Sequence, residues 1–450
     1  MKTIKERKEE AKAYRKQTSR SDLGLWKVEP RRSAAVQLLL AQEETRVKEL
    51  IPLRRERMAV SPFSFFRGSA VIQAHDLSIS PGTGFYVQAC GDAHISNFGI
   101  FASPERRLVF DINDFDETLP APFEADVKRL AASIEICGRQ RSFTKEQRAD
   151  AVFAAAALYR KTMWECSDMG NMEIWYKHLD VEKLLENNTY VSDKKQLKLM
   201  HETISRALSK TSDKAFKKLT ETVDGKIRIK SDPPLIVPIR DLFGEEKKRY
   251  AFRYNVDKAL ELYKESLPSD RKILIDQYEP VEMAHKVVGV GSVGRQAWIL
   301  VMLGRENGDP LILQIKEAEK SVLEPYYGSS AYVKCGQRVV EGQRAIQTAG
   351  DILLGYVRFE RSDGRVNDCY VRQLWDAKGS FDVDTISLEG YNGLSMMCAW
   401  TLAHAHAKTG DRHMIAAYLG KGEAFENAMV RYAYAYADQN EADYEMFLKL

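Results

Sequence analysis

Order is the strongest constraint this chain carries. The acid-rich segment "GDAHISNFGIFASPERRLVFDINDFDE", Gly91 to Glu117, gathers Asp92, Asn97, Asp111, Asp114 and Asp116 around a short apolar run. The phosphate-cradling glycine turn, Gly289-Val290-Gly291-Ser292-Val293-Gly294, comes only far downstream. Any fold that uses both must carry oxygen ligands from early in the chain to a turn well past its middle.

The glycine turn fits GxGxxG, a pattern shared by dinucleotide sites, kinase-type loops and plain turns. Its context separates them. A dinucleotide fingerprint needs a helix directly after the last glycine. Here "RQAWILVML" follows, rich in strand formers, and then a turn at "GRENGD" and a second strand. Strand, glycine loop, strand is how a kinase covers ATP phosphates. The next strand ends "LILQIK", and period-two alternation sets Leu311, Leu313 and Ile315 on one face and Ile312, Gln314 and Lys316 on the other. That places Lys316 to reach the nucleotide's α and β phosphates. A lysine so used wants a carboxylate from the following helix, and Glu341 in "GQRVVEGQR" is the candidate.

In the acidic segment, "GDAHISN" spaces Asp92 and Asn97 as D-x-x-x-x-N. An Asp in that position orients or deprotonates an acceptor hydroxyl, and the Asn binds a magnesium ion through its amide oxygen. "INDFDE" adds Asp114 at a strand end as a second metal ligand. Hard oxygen donors suit Mg²⁺, which takes one or two carboxylates and completes its shell with phosphates and water. "GDAH" also fits the D-x-H element of binuclear metallophosphoesterases. Those enzymes need further His and Asn elements, and none of the eight histidines stands in such a pattern.

Together "SPFSFFRGSA", "GDAHISNFG", "FDINDFDE", "GVGSVGRQAWILVMLG", "LQIKEA" and "LAHAHAKTGD" resemble the DUF2252 family of bacterial proteins of unknown function, over about Arg32 to Asp411. That family is similar in motif content to the protein-kinase-like superfamily, above all to aminoglycoside and choline phosphotransferases, whose catalytic loop reads HGDxHxxN. The resemblance implies Asp92 as catalytic Asp, Asn97 as metal Asn, His94 beside them and Asp114 opening a "DFD"-like motif. It implies a structural role for Asp126, which starts the following helix and holds the loop. Cys90 departs from the family-wide His before "GD". The resemblance also accounts for the order. The helix "LAHAHAKTGD", which usually precedes the catalytic loop, lies here near the C-terminus, so the chain reads as a circularly permuted kinase-like fold, with His404 and His406 in a packing helix.

The expected fold class is α+β, two-lobed, with a small β-rich nucleotide lobe and a large helical lobe. Four stretches are expected: a basic helical extension (1–60), a catalytic-loop and helical part (61–245), the small lobe (246–380) and C-terminal helices that complete the large lobe (381–450). Locally, the pattern predicts a helix over Ser33 to Met58 broken late by Pro52, an aromatic turn at "SPFSFFRGSA", strands at "FYVQAC" and "RRLVFDIND", and a hairpin or boundary segment in "VDGKIRIKSDPPLIVPIRD".

Net charge of +3, 44% hydrophobic and 29% charged residues are those of an ordinary globular protein, and demand neither nucleic acid nor membrane as partner. The basic N-terminus has no signal-peptide core, and interleaved Glu6, Glu9 and Glu10 make it a solvated helix or frayed tail. The six scattered cysteines are expected as reduced thiols of a cytoplasmic protein. The expected activity is transfer of the γ-phosphoryl of ATP, with Mg²⁺, to a hydroxyl of a small-molecule acceptor. The glycine turn (Gly289, Gly291, Ser292, Gly294), Lys316 and Glu341 would hold the nucleotide. A transfer-silent regulator and an AMP transferase are the alternatives that the same residues allow.

Overall fold

The computed structural model describes residues 2–450 except 29–31, 33, 187–201, 203, 206–211, 244–245, 288, 290, 292, 306–308, 361–365 and 375–377. It is a mixed α+β fold. Strands β1 (Tyr86–Ala89), β2 (Phe98–Ala102), β3 (Leu108–Ile112) and β4 (Leu119–Pro122) frame the acidic segment. β1 pairs with β4, and β2 with β3, whose far edge takes β5 (Leu179–Asp180). Strand β2, "FGIFA", is not among the expected strands; it directly follows the D-x-x-x-x-N spacing of Asp92 and Asn97.

Further on, β6 (Thr220–Val223) and β7 (Lys226–Ile229) form the expected hairpin. Its turn is Asp224-Gly225, both at positive φ, as a two-residue hairpin loop requires. β8 (Ile236–Pro238), β9 (Tyr278–Lys286), β10 (Ala297–Gly304), β11 (Pro310–Glu317), β12 (Gly355–Glu360) and β13 (Val366–Gln373) build one antiparallel sheet in the order β12-β13-β11-β10-β9-β8. The helix Cys335–Ile346 stands between β11 and β12 in sequence.

Alternation along β11 is the one expected. Leu311 and Leu313 enter a core with Tyr263, Leu267 and Ile275, while Ile312 enters another with Ala215, Leu219 and Ile229. The unit around this sheet thus takes in β8 and residues of the preceding helix and hairpin, and begins before residue 246. The rest is helical: Phe123–Gln140, Lys145–Asp168, Leu388–Thr409, Arg412–Leu419 and Ala424–Phe447 share the largest core with β1 to β4. Both ends of the chain contribute to it.

Two local expectations are corrected. Residues 34–58 hold two α-helices, Ala35–Glu43 and Ile51–Met58, with a 3₁₀ turn, Lys48–Leu50, before the second, and Pro52 lies in the second helix's first turn. A proline is tolerated in a first turn, where backbone N–H groups lack intrahelical partners anyway. "SPFSFFRG" is a helix, Pro62–Gly68, capped by Ser61 Oγ accepting from the Ser64 amide at 3.1 Å. The N-terminal helix Ile4–Tyr14 docks on Arg412–Leu419 through Arg7–Asp411 at 2.7 Å, while Arg15 and Arg20 donate to the carbonyls of Tyr418 and Leu419 at 2.9 and 3.0 Å. Arg7 thus meets the N-cap of that helix, and Arg15 and Arg20 meet its carbonyl end, while Glu6, Glu9 and Glu10 stay exposed as expected of a solvated helix. All six cysteines are free thiols. Among the described residues no helix is long and apolar enough to cross a membrane.

Candidate active site

Cys90 and Gly91 end β1 on a sharp turn. Gly91 sits at φ +81°, and a Cβ there would lie 2.2 Å from the Glu117 carbonyl oxygen, so only glycine fits. The turn is held from behind by Asp126, which accepts the amides of Cys90 and Gly91 at 2.8 and 3.0 Å. His406 Nε2 lies 3.2 Å from the same carboxylate, and its Nδ1 lies 2.8 Å from the Tyr159 hydroxyl. Asp126 and His406 are buried. The helix Leu388–Thr409 therefore braces the turn, and His404 is likewise spent on a structural contact, the Ile174 carbonyl at 2.8 Å.

Asp92 leaves this turn 22% exposed. Arg129 Nε donates to its Oδ1 at 2.8 Å, and the other guanidinium nitrogens bond Gln73 Oε1 and the Phe66 carbonyl, so the arginine is fixed on three sides. Burial raises the Asp92 carboxyl to about 6, against the pull of Arg129. His94 Nε2 lies 3.8 Å from Asp92 Oδ2. Burial, with Arg67 and Arg129 nearby, holds the imidazole well below its ordinary range, hence neutral.

Asn97 ties the two acidic elements together. Its Oδ1 accepts the Asp114 amide at 2.9 Å, and its Nδ2 donates to the carbonyls of Asp92 and Asp114 at 2.9 and 3.0 Å. Asp114 points outward with 40% of its side chain exposed, and Lys316 Nζ lies 3.5 Å from it. The lysine is closer to Asp116, at 3.1 Å, which also accepts from the Tyr370 hydroxyl at 2.6 Å and meets Arg295 at 3.4 Å. Burial opposes ionisation of Asp116, but Lys316 and Arg295 outweigh it and hold the carboxyl far below the usual range.

The expected partner of Lys316 is thus corrected. Glu341 pairs with Arg344 at 3.0 Å on its own helix, and the lysine's carboxylates come from the acidic segment. The helix instead offers Arg338, which is buried and donates to the carbonyls of Thr118, Asp116 and Glu319 at 2.6, 2.8 and 2.8 Å. Arg295 directly follows the glycine turn and bonds Glu117 and Glu319, both at 3.0 Å.

Asp92, His94, Asn97 and Asp114 line a cleft of about 240 Å³ with Gly289 and Gly291. Gly294 lies at φ +91° against Arg46, and Ser292 falls outside the described residues. Asp111 is not in the cleft. It is buried on β3 and accepts the amides of Ile112 and Thr348. Residues 46–57, read from sequence as part of an extension, reach the glycine turn: the Val47 amide donates to the Gly294 carbonyl at 2.8 Å, Arg57 to Gly289 at 2.6 Å, and Arg46 to Val293.

Among the described residues no three His, Cys, Asp or Glu side chains form a ready metal cage. Asp114 and Asn97 still fit Mg²⁺ of the kind that sits between protein and phosphates, since that ion takes one or two protein oxygens and fills the remainder elsewhere. Both residues line the same cleft, and Asn97 Oδ1, which accepts the Asp114 amide, keeps a second lone pair.

The family model described as an uncharacterized protein conserved in bacteria (DUF2252) matches residues 46–450, and the chain belongs to that family. No curated protein and no solved structure matches it.

Proposed function

We propose that this DUF2252 member is an ATP- and Mg²⁺-dependent phosphotransferase of a circularly permuted, two-lobed, protein-kinase-like fold, acting on a hydroxyl of a small-molecule acceptor. One observation carries the reading: the glycine turn beside the six-stranded sheet lines one cleft with Asp92, Asn97 and Asp114, and the strand-end Lys316 of that sheet lies 3.5 Å from Asp114. The surrounding elements support it. The turn lies between β9 and β10, the lysine on β11, and a helix follows before β12, the succession of a kinase's nucleotide lobe. The permuted reading is supported by Asp126 and His406, which join the catalytic turn to a helix from the opposite end of the chain.

In this reading Asp92, kept available for ionisation by Arg129, orients the acceptor hydroxyl and takes its proton as the oxygen attacks the γ-phosphorus. The bond from that phosphorus to the bridging oxygen breaks, and ADP leaves. Lys316 and the glycine-turn amides steady the phosphates. Mg²⁺, held by Asp114 and Asn97, would supply the neutralisation of charge on the β and γ phosphates.

A second reading is favoured by one contact. Lys316 already faces both Asp114 and Asp116, an arrangement also suited to a nucleotide-binding regulator that transfers nothing. Purified protein with Mg²⁺, cell extract and ATP labelled at the γ or the α phosphate separates the cases, with Asp114→Ala as control. Movement of γ-label, abolished in the variant, is expected. Movement of α-label means nucleotidyl transfer, and binding without either means the regulator.

A further inference from the structure

Polar atoms cut off from water normally find a hydrogen-bond partner, so a cluster of exceptions asks for a ligand. Among the described residues, Arg67 Nε, His94 Nδ1 and Ser96 Oγ are each shut off from solvent and bonded to nothing. All three residues line the cleft that holds Asp92. His94 is 7% exposed, so its orphan nitrogen is not simply waiting for bulk water.

Arg67 is the strongest of the three. Of the other arginines in the cleft, Arg295 is committed to Glu117, Asp116 and Glu319, and Arg372 to Gln314 Oε1 and the Asn113 carbonyl, both at 3.2 Å, while Arg46, whose Nε is also unbonded, is tied to the glycine turn through the Val293 carbonyl. Asp92 is already taken by Arg129. Among the described residues the Arg67 guanidinium has neither ion pair nor hydrogen bond, although it sits at the end of the helix Pro62–Gly68 facing the catalytic turn. An arginine can only donate and is always charged. A neutral ligand would satisfy an N–H but leave the charge; a carboxylate or phosphate satisfies both, in two parallel bonds.

We infer that the acceptor is itself an anion: a hydroxyl compound whose carboxylate or phosphate group is held by Arg67, with Ser96 and His94 completing its hydrogen bonds. The inference rests on the phosphotransferase reading and adds the substrate class. Arg67, His94 and Ser96 belong to the unit that carries Asp92, which leaves the glycine turn, Lys316 and Asp114 for the nucleotide.

The test splits a small-molecule extract by ion exchange into anionic, neutral and cationic pools and offers each to the full-length protein with Mg²⁺ and γ-labelled ATP. Label is expected to enter products of the anionic pool. Transfer from the neutral or cationic pool instead overturns the inference while the phosphotransferase reading stands. No transfer from any pool removes both. Phosphatase treatment of the anionic pool beforehand distinguishes the sources: lost acceptor activity means a phosphate group, retained activity a carboxylate. Arg67→Met should raise the KM for the acceptor pool about tenfold or more with the KM for ATP within about twofold, and Arg67→Lys should recover part of the loss. An equal loss for ATP would put Arg67 on the nucleotide and overturn the assignment. Ser96→Ala, which removes one hydroxyl, should raise the acceptor KM by roughly threefold and serves if the Arg67 variants do not fold.

Discussion

On one wall of the cleft, the turn that carries Asp92 is fixed atom by atom. Asp126 takes two of its amides, Arg129 its carboxylate and Asn97 the backbone of both acidic elements, and the helices behind it are buried along nearly their whole length. On the other wall, the glycine turn is reached among the described residues by hydrogen bonds from Val47, Arg46 and Arg57, the last of them exposed. The contrast assigns a division of labour. In the proposed function, groups that must point at reacting atoms to a fraction of an ångström sit on the deeply braced wall. The backbone that would cover the phosphates is tied on by contacts that each contribute only about 1 kcal/mol.

The most severe break of this comparison is Asp92→Asn. The amide keeps the shape and a bond to Arg129 but cannot take a proton, so kcat should fall by about 10²–10⁴. ATP affinity should stay within about twofold, measured by titration with Mg²⁺ present. If affinity falls as far as turnover, the braced wall is holding nucleotide rather than performing chemistry.

Lys316→Met cuts the bond between the walls. It removes the cation shared by Asp114 and Asp116, leaving Asp116 with Tyr370 and Arg295. Loss of a charge-assisted contact predicts ATP binding weaker by about 10- to 100-fold. A variant that binds ATP as well as the parent would show that the lysine serves the acidic segment alone.

How far this was legible in the sequence follows the same division. The glycine turn, the lysine on its strand and the Asp92–Asn97 spacing are local patterns, set by period-two alternation and by turn chemistry; Gly289, Gly291, Asp92 and Asn97 line one cleft, and Lys316 lies 3.5 Å from Asp114 beside them. The partner of Lys316 was not legible. Expectation looked to the next helix, but that helix presents Arg338, and the pairing carboxylate of Asp116 arrives by a long-range contact that no local spacing encodes. Arg295 gave one signal, its place directly after the last glycine. Arg46 and Arg57 gave none, because a basic residue on a helical stretch reads as a solvated face. Asp111 shared its segment with Asp114, yet Asp111 lies within the strand Leu108–Ile112 and is buried there, whereas Asp114 follows the strand's end and reaches the cleft.

That buried carboxyl gives the braced wall a pH signature. Burial raises Asp111 to about 6 from an ordinary 3.8, although the Ile112 and Thr348 amides resist the shift. The folded state thus favours the protonated form. Its stabilisation is fully present below about pH 4 and is lost as pH rises through about 6. Between pH 5 and pH 7 this amounts to about 1 kcal/mol of unfolding free energy. Asp111→Asn should flatten the pH dependence of urea unfolding by that amount over this window. An unchanged slope would mean that other groups carry it, and that this strand is less sealed from water than its burial indicates.

The smallest effect probes the loosely tied wall. Arg57→Ala removes the exposed bond to the Gly289 carbonyl and touches nothing the catalytic turn depends on. Amide exchange at Gly289, Gly291 and Gly294 should quicken by about tenfold, the equivalent of one lost hydrogen bond, while exchange at Cys90 and Gly91 stays as it was. The KM for ATP should rise by roughly two- to fivefold with kcat little changed, because a looser cover costs binding before it costs chemistry. Should exchange quicken on both walls together, the turn and the catalytic loop would open as one unit. The three contacts from residues 46–57 would then be part of the brace, and the division of labour would have to be given up.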